Sequence, residues 1–138
     1  MSEQAPEVIR PDPVIMPDNA FFWEAAERGE LVAQVCADCG AIRHPPRPMC
    51  PYCHSINREI IQLSGQGTVS SWIVPRHPHP HGFEASPIVA LIELEEGIRL
   101  VSNLIDIDMD KVRNGMPVTV DFAPTQGGRA VPVFRPAR

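Results

Sequence analysis

Cys36-Ala37-Asp38-Cys39-Gly40 and Cys50-Pro51-Tyr52-Cys53 are two Cys-x-x-Cys pairs separated by ten residues, and they hold all four cysteines of the chain. Two thiolates three positions apart can meet one ion while amides of the same turn point at their sulfurs. Gly40 offers the positive φ that such a turn favours at its end. Two pairs supply four soft ligands, Cys36, Cys39, Cys50 and Cys53, enough to close one tetrahedral zinc site in a small ribbon. A small iron site and uncommitted or disulfide-linked cysteines are the alternatives. The spacer is shorter than the ~15–20 residues of the usual ribbon pattern, a gap that a tight β-turn can bridge. Four thiolates leave no coordination position for water, so the expected zinc, one per chain, is structural.

N-terminal to the pairs, residues 1–17 carry Pro6, Pro11, Pro13 and Pro17 and no apolar period. Proline fixes φ and removes amide donors, so an extended tail is expected. Asp18 is placed to cap a helix over about 19–28, and Gly29 to end it. On that helix Phe22, Ala25 and Ala26 share a face that Trp23 widens. Leu31 to Val35 alternates as a strand running into Cys36, and the cysteine module extends to about residue 62. C-terminal to it the texture becomes β. Thr68–Val74, Pro87–Leu94, Ile98–Ile105, Val118–Phe122 and Ala130–Phe134 are five Val/Ile-rich runs bounded by turn residues. Glu95-Glu96-Gly97 reads as a hairpin connection, and Asp108 as the cap of a short helical turn ending at Asn114-Gly115. Five strands with a helical insert after the third give the order of an OB-fold barrel, with a small open sandwich as the alternative. The expected fold is mainly β: a Pro-rich tail (1–17), a helix with a rubredoxin-like zinc ribbon (18–62) and a five-stranded OB-fold barrel (63–138).

Composition narrows function. Hydrophobic residues are 43% and charged residues 21%, proportions of an ordinary globular chain. No apolar run approaches the ~18 residues that span a bilayer, and no signal-peptide pattern opens the chain. A cytoplasmic protein with no membrane association is expected, a compartment where paired cysteines read as metal ligands. The net charge is −5, and one lysine, Lys111, stands beside eleven arginines. A nucleic-acid binder carries a basic face with stacking aromatics, which argues against that class here.

His77-Pro78-His79-Pro80-His81 is a second constellation. In an extended strand the three imidazoles would project to one side, as a metal or anion site requires; in polyproline II geometry they would spread around the axis. A stiff loop between strands is the plainer reading. His44 and His54, flanking the cysteine pairs, read as surface residues. No Gly-x-Ser-x-Gly elbow, His-Glu-x-x-His helix or phosphate loop occurs. Asp106, Asp108 and Asp110 lack the glycine and terminal glutamate of a calcium loop. The chain does not read as a self-sufficient enzyme.

Phe22-Trp23, Gly29-Glu30-Leu31, the two cysteine pairs and Pro45-Pro46-Arg47 stand in the order seen in a known family. So do Gly65-Gln66-Gly67-Thr68-Val69, Ser86-Pro87-Ile88-Val89, Gly97-Ile98-Arg99-Leu100 and Gly115-Met116-Pro117-Val118. Over about residues 18–123 the chain resembles the zinc-ribbon plus OB-fold proteins, long known as a domain of unknown function associated with acyl-CoA enzymes. The resemblance implies a non-catalytic subunit partnering a thiolase-superfamily enzyme, such as a lipid-transfer-type thiolase or a retro-aldolase of steroid side-chain degradation. Some family members are fused to an enoyl-CoA hydratase. It also implies a role in shaping an acyl-CoA channel, with Arg47 a candidate for partner or CoA-phosphate contact or for bracing the ribbon. His77, His79 and His81 are further candidates for partner or ligand contact. A single-stranded nucleic-acid-binding module is the competing reading.

Overall fold

The computed structural model describes residues 10–137, so residues 1–9 of the predicted tail lie outside the described residues. A short helix, α1 (Ala20–Glu27), precedes a three-stranded sheet of β1 (Val32–Cys36), β2 (Ile42–Arg43) and β3 (Arg58–Gln62). The helix buries Phe22, Ala25 and Ala26, the face its spacing predicts. Asn19, not Asp18, occupies its N-cap position, and neither the Asn19 side chain nor any other caps the first turn. Asn19 instead closes the preceding turn: its Oδ1 accepts from the Met16 amide at 2.8 Å and its Nδ2 donates to the Val14 carbonyl at 3.2 Å. Gly29, at φ +75°, ends the helix with its amide on the Ala26 carbonyl. Only a residue without Cβ adopts that conformation at little cost.

In the ribbon sheet β1 is central, antiparallel to both neighbours in the order β2-β1-β3. β3 pairs with it along five positions, from Val32↔Gln62 to Cys36↔Arg58. Register therefore fixes where β1 delivers Cys36.

β4 (Gln66–Ile73), β5 (Ile88–Leu94), β6 (Arg99–Leu104), β7 (Pro117–Pro124) and β8 (Ala130–Pro136) form a closed barrel in the order β4-β5-β6-β8-β7. Closure excludes the open sandwich. All five predicted strands are present, with one 3-10 turn (Met109–Lys111) between β6 and β7. Asp108 precedes that turn without a capping hydrogen bond, and the turn ends at Lys111, short of the predicted Asn114-Gly115 stop. Along β5 the buried residues Ile88, Ala90, Ile92 and Leu94 fall two apart, the period of a strand with one face on a core. A Cβ at Gly67 would lie 2.6 Å from the Glu93 carbonyl oxygen, so glycine is what lets β4 approach β5 there.

One apolar core runs through both parts. Phe22, Ala25, Leu31, Val32 and Ala33 belong to the same buried cluster as Leu63, Val69, Ile92 and Phe134. Two described residues of the predicted tail are tied to the chain's own barrel. Arg10 bridges Thr125, and Asp12 accepts hydrogen bonds from the Thr125 hydroxyl and, at 2.9 Å, from the Gly127 amide. Those two donors, the hydroxyl first, hold the Asp12 carboxyl below the usual carboxylate range.

Candidate metal centre

Cys36 sits at the end of β1, where strand pairing fixes it, and Cys39 follows in a turn whose Gly40 amide returns to the Cys36 carbonyl at 2.9 Å. The second pair repeats the device: the His54 amide bonds the Cys50 carbonyl at 3.0 Å. Gly40 and His54, the residues just after each pair, both take positive φ, at +78° and +63°. The two turns are clamped together. Asp38 Oδ2 accepts from the Ser55 hydroxyl and from Asn57 Nδ2 at 3.2 Å. These bonds, Ser55 foremost, hold the Asp38 carboxyl below its ordinary range.

The four sulfurs converge. Cys36 and Cys53 Sγ are 3.5 Å apart, Cys39 and Cys50 Sγ 3.6 Å, and all four lie within 4.8 Å of one another. A tetrahedron of Zn–S bonds of about 2.3 Å has sulfurs about 3.8 Å apart, so the cluster fits such an ion. Cys36 and Cys50 are buried residues, whereas Cys39 and Cys53 are exposed ones on the solvent side of the cluster. The thiols share their protons unequally. The Cys39 amide, donating to Cys36 Sγ at 3.5 Å, leads the groups that draw Cys36 down to about 6. Cys53 is pushed up to about 12: the Ser55 amide lowers it, but the Cys36 thiol and burial outweigh that donor. A soft dication at the centre would displace the remaining protons and complete the charge balance.

Among the described residues these four are the only group of three or more Cys, His, Asp or Glu side chains placed to share an ion. His77, His79 and His81 therefore do not converge as an extended strand would require. They are exposed on the loop between β4 and β5, with His79 Nε2 2.6 Å from the Phe83 carbonyl oxygen. Arg47 is exposed, yet its backbone braces the ribbon. Its amide donates to Gln34 Oε1 at 2.8 Å, and its carbonyl accepts from Arg43 Nη2 at 3.1 Å.

His54 is exposed, as its position suggests, whereas His44 is half-buried. Its ring lies 5.4 Å from that of Phe22, and it lines a cavity of about 370 Å3 between α1 and the barrel with Trp23, Pro46, Leu100 and Val131. Burial holds its imidazole below the ordinary value. The unfolded chain then takes up this proton before the folded chain does. The stability that the neutral ring confers is present above the ordinary histidine pKa and lost as pH falls through it. Between about pH 7 and pH 5 the melting temperature is expected to fall more steeply for the native chain than for His44→Phe, as calorimetry at matched ionic strength would show. Parallel curves would mean that this ring does not contribute.

Residues 23–56 match the family described as "ChsH2, rubredoxin-like zinc ribbon domain", and residues 61–123 match "ChsH2, C-terminal OB-fold domain". One chain of a solved Ltp2-ChsH2(DUF35) aldolase is 47% identical, superposes with a TM-score of 0.87, and is covered completely by 92% of this chain. The chain belongs to the ChsH2 (DUF35) family. Among its curated relatives is a probable enoyl-CoA hydratase alpha subunit of Thermomonospora curvata, 48% identical over 99% of this chain and 43% of that protein. Another is the 3-oxo-4,17-pregnadiene-20-carboxyl-CoA hydratase alpha subunit of Mycobacterium tuberculosis, 37% identical over 85% of this chain and 39% of that protein. The chain thus spans about two fifths of the length of these two relatives. Among the described residues no helix is long and apolar enough to cross a membrane.

Gln34 and Arg43, both buried and polar, are the residues that motif reading passed over. The signal that places them is the cross-strand register Gln34↔Arg43, which a single stretch of sequence does not display.

Proposed function

We propose that this chain is the non-catalytic accessory subunit of a cytoplasmic thiolase-superfamily enzyme that makes or breaks a carbon–carbon bond on an acyl-CoA. Steroid side-chain CoA thioesters are the leading substrate class. The observation that carries the reading is the match of 92% of this chain to the whole of one chain of the Ltp2-ChsH2(DUF35) aldolase at 47% identity. Relatives named as hydratase alpha subunits support a second setting, in which the same module serves an enoyl-CoA hydratase. One structural zinc on Cys36, Cys39, Cys50 and Cys53 holds the ribbon, and its closed thiolate set leaves no position for substrate. The partner supplies the reacting groups. Arg47, His77, His79 and His81 are exposed and are the proposed contacts for partner or CoA. The tail (1–17), ribbon module (18–62) and barrel (63–138) are proposed to divide these tasks, the tail adding to partner contact.

The test is co-expression with a thiolase-like protein, followed by co-purification and an assay of retro-aldol or thiolytic cleavage on a bulky acyl-CoA. Alone, this chain is expected to turn over nothing. The partner alone is expected to lose most of its solubility or activity and to regain it with this chain, and deletion of residues 1–17 to weaken the complex. A thiolase-like partner that is fully stable and active by itself would refute the accessory role.

A further inference from the structure

Between the ribbon and the β5–β6 hairpin lies a cavity of about 350 Å3, lined by Arg43, His44, Arg47, Tyr52, Ile98 and Arg99 among others. Three guanidinium-bearing residues meet there on a chain whose net charge is −5, so the basic character is local and not a property of the whole surface. Arg43 is only 5% exposed. Its Nε donates to Gln34 Oε1 at 2.9 Å and its Nη2 to the Arg47 carbonyl, both neutral acceptors, while its Nη1 is buried with no partner. Gln34, 0% exposed, leaves its Nε2 unpartnered as well.

No ion pair neutralises Arg43, Arg47 or Arg99 among the described residues. Glu93 faces Arg99 across the β5–β6 register but lines the neighbouring cavity instead. A buried charge without a counter-ion is strongly unfavourable, and a guanidinium fork matches the oxygens of a phosphate. A carboxylate would offset only one of the three charges, whereas a phosphate or diphosphate offsets two or more. Tyr52, 76% exposed, and Ile98 add an apolar wall beside the cations.

We infer that this cavity is a phosphate-binding site, with Arg43 as its buried anchor and Arg47 and Arg99 supplying further donors. The site deepens the contact proposed above for Arg47, and because it lies wholly within this chain it is tested without the partner, so its failure leaves the accessory role standing. The phosphate comes either as the free ion or on an organic ester whose body lies against Tyr52.

The experiment follows the arginine Nε–Hε resonances of the purified full chain by NMR. Inorganic pyrophosphate and adenosine 3′,5′-bisphosphate are titrated in separately. Saturable shifts at Arg43, Arg47 and Arg99 are expected. The double variant Arg47→Ala/Arg99→Ala, at two exposed positions, is expected to bind pyrophosphate at least about tenfold more weakly. Arg28→Ala, on the far end of α1, should bind as the native chain does. Arg43→Ala also removes the brace on Gln34, so the exposed pair carries the test. Tighter binding of the bisphosphate assigns an organic ester, and equal or weaker binding assigns the free ion. The absence of saturable shifts by about 10 mM pyrophosphate, or equal affinity in the double variant, overturns the site.

Discussion

Cys36→Ser is expected to purify without zinc, metal content falling from about one ion per chain to about none, and without a cooperative thermal transition. A serine hydroxyl stays protonated at neutral pH and is a poor ligand for a soft-ligand site. Cys36 is also a thiol drawn below its ordinary range, chiefly by the Cys39 amide, so its loss removes a ready thiolate. The remaining sulfurs cannot close a tetrahedron, and the turns at Gly40 and His54 lose the ion that would hold them in left-handed conformations. The damage is expected to spread. β1 carries both Cys36 and the core residues Val32 and Ala33, which share one apolar cluster with the barrel residues Val69 and Ile92. Elemental analysis and circular dichroism of wild-type and variant chains would measure this. A metal-free variant that still melts cooperatively at the native temperature would show that no ion sustains the fold. Acid should strip the native protein in the same way, because each released zinc is replaced by protons on thiols.

What could be read in advance divides along local and non-local lines. The meeting of four thiols was legible because two short turns dictate most of it. The barrel strands were legible because alternation such as that of Ile88 to Leu94 is a property of one segment. β2, by contrast, is two residues long and has no period to show. β3 is exposed at Arg58, Glu59, Ile60 and Gln62, so its pairing with β1 left no apolar signature. The His44 ring is sheltered by Phe22, which is remote in sequence, and Arg43 is buried by its cross-strand partner Gln34. Both were invisible until strand register brought them together. The helix cap moved by one position because Asn19 and Asp18 are equally good caps by type, and the turn made by Asn19 with Val14 and Met16 decides between them.

Phe134→Ala is expected to lower stability by ~3–5 kcal/mol, the range for deleting a fully buried aromatic ring. Phe134 is 0% exposed and heads the largest side chains of the core. Its place in the topology makes it more than a filler. β6 and β8 are the one parallel pair of the barrel, joined at Leu104↔Phe134, and the Phe134 carbonyl accepts the Ile105 amide at 2.8 Å. On its other side Phe134 pairs with Val120 of β7. Removing the ring therefore opens a cavity where the barrel closes with its sparsest strand pairing, and a rigid closed sheet cannot collapse to fill it. For a chain of this length the loss corresponds to a drop in melting temperature of roughly 10–15 °C. Denaturant unfolding should show a lower midpoint with an unchanged slope, since the surface exposed on unfolding is nearly the same. Zinc content should stay at that of the native chain, because the four sulfurs are held by turns distant from β8 in sequence. A melting temperature within about 3 °C of the native value would mean that the core reorganises around the lost ring and that barrel closure does not rest on it.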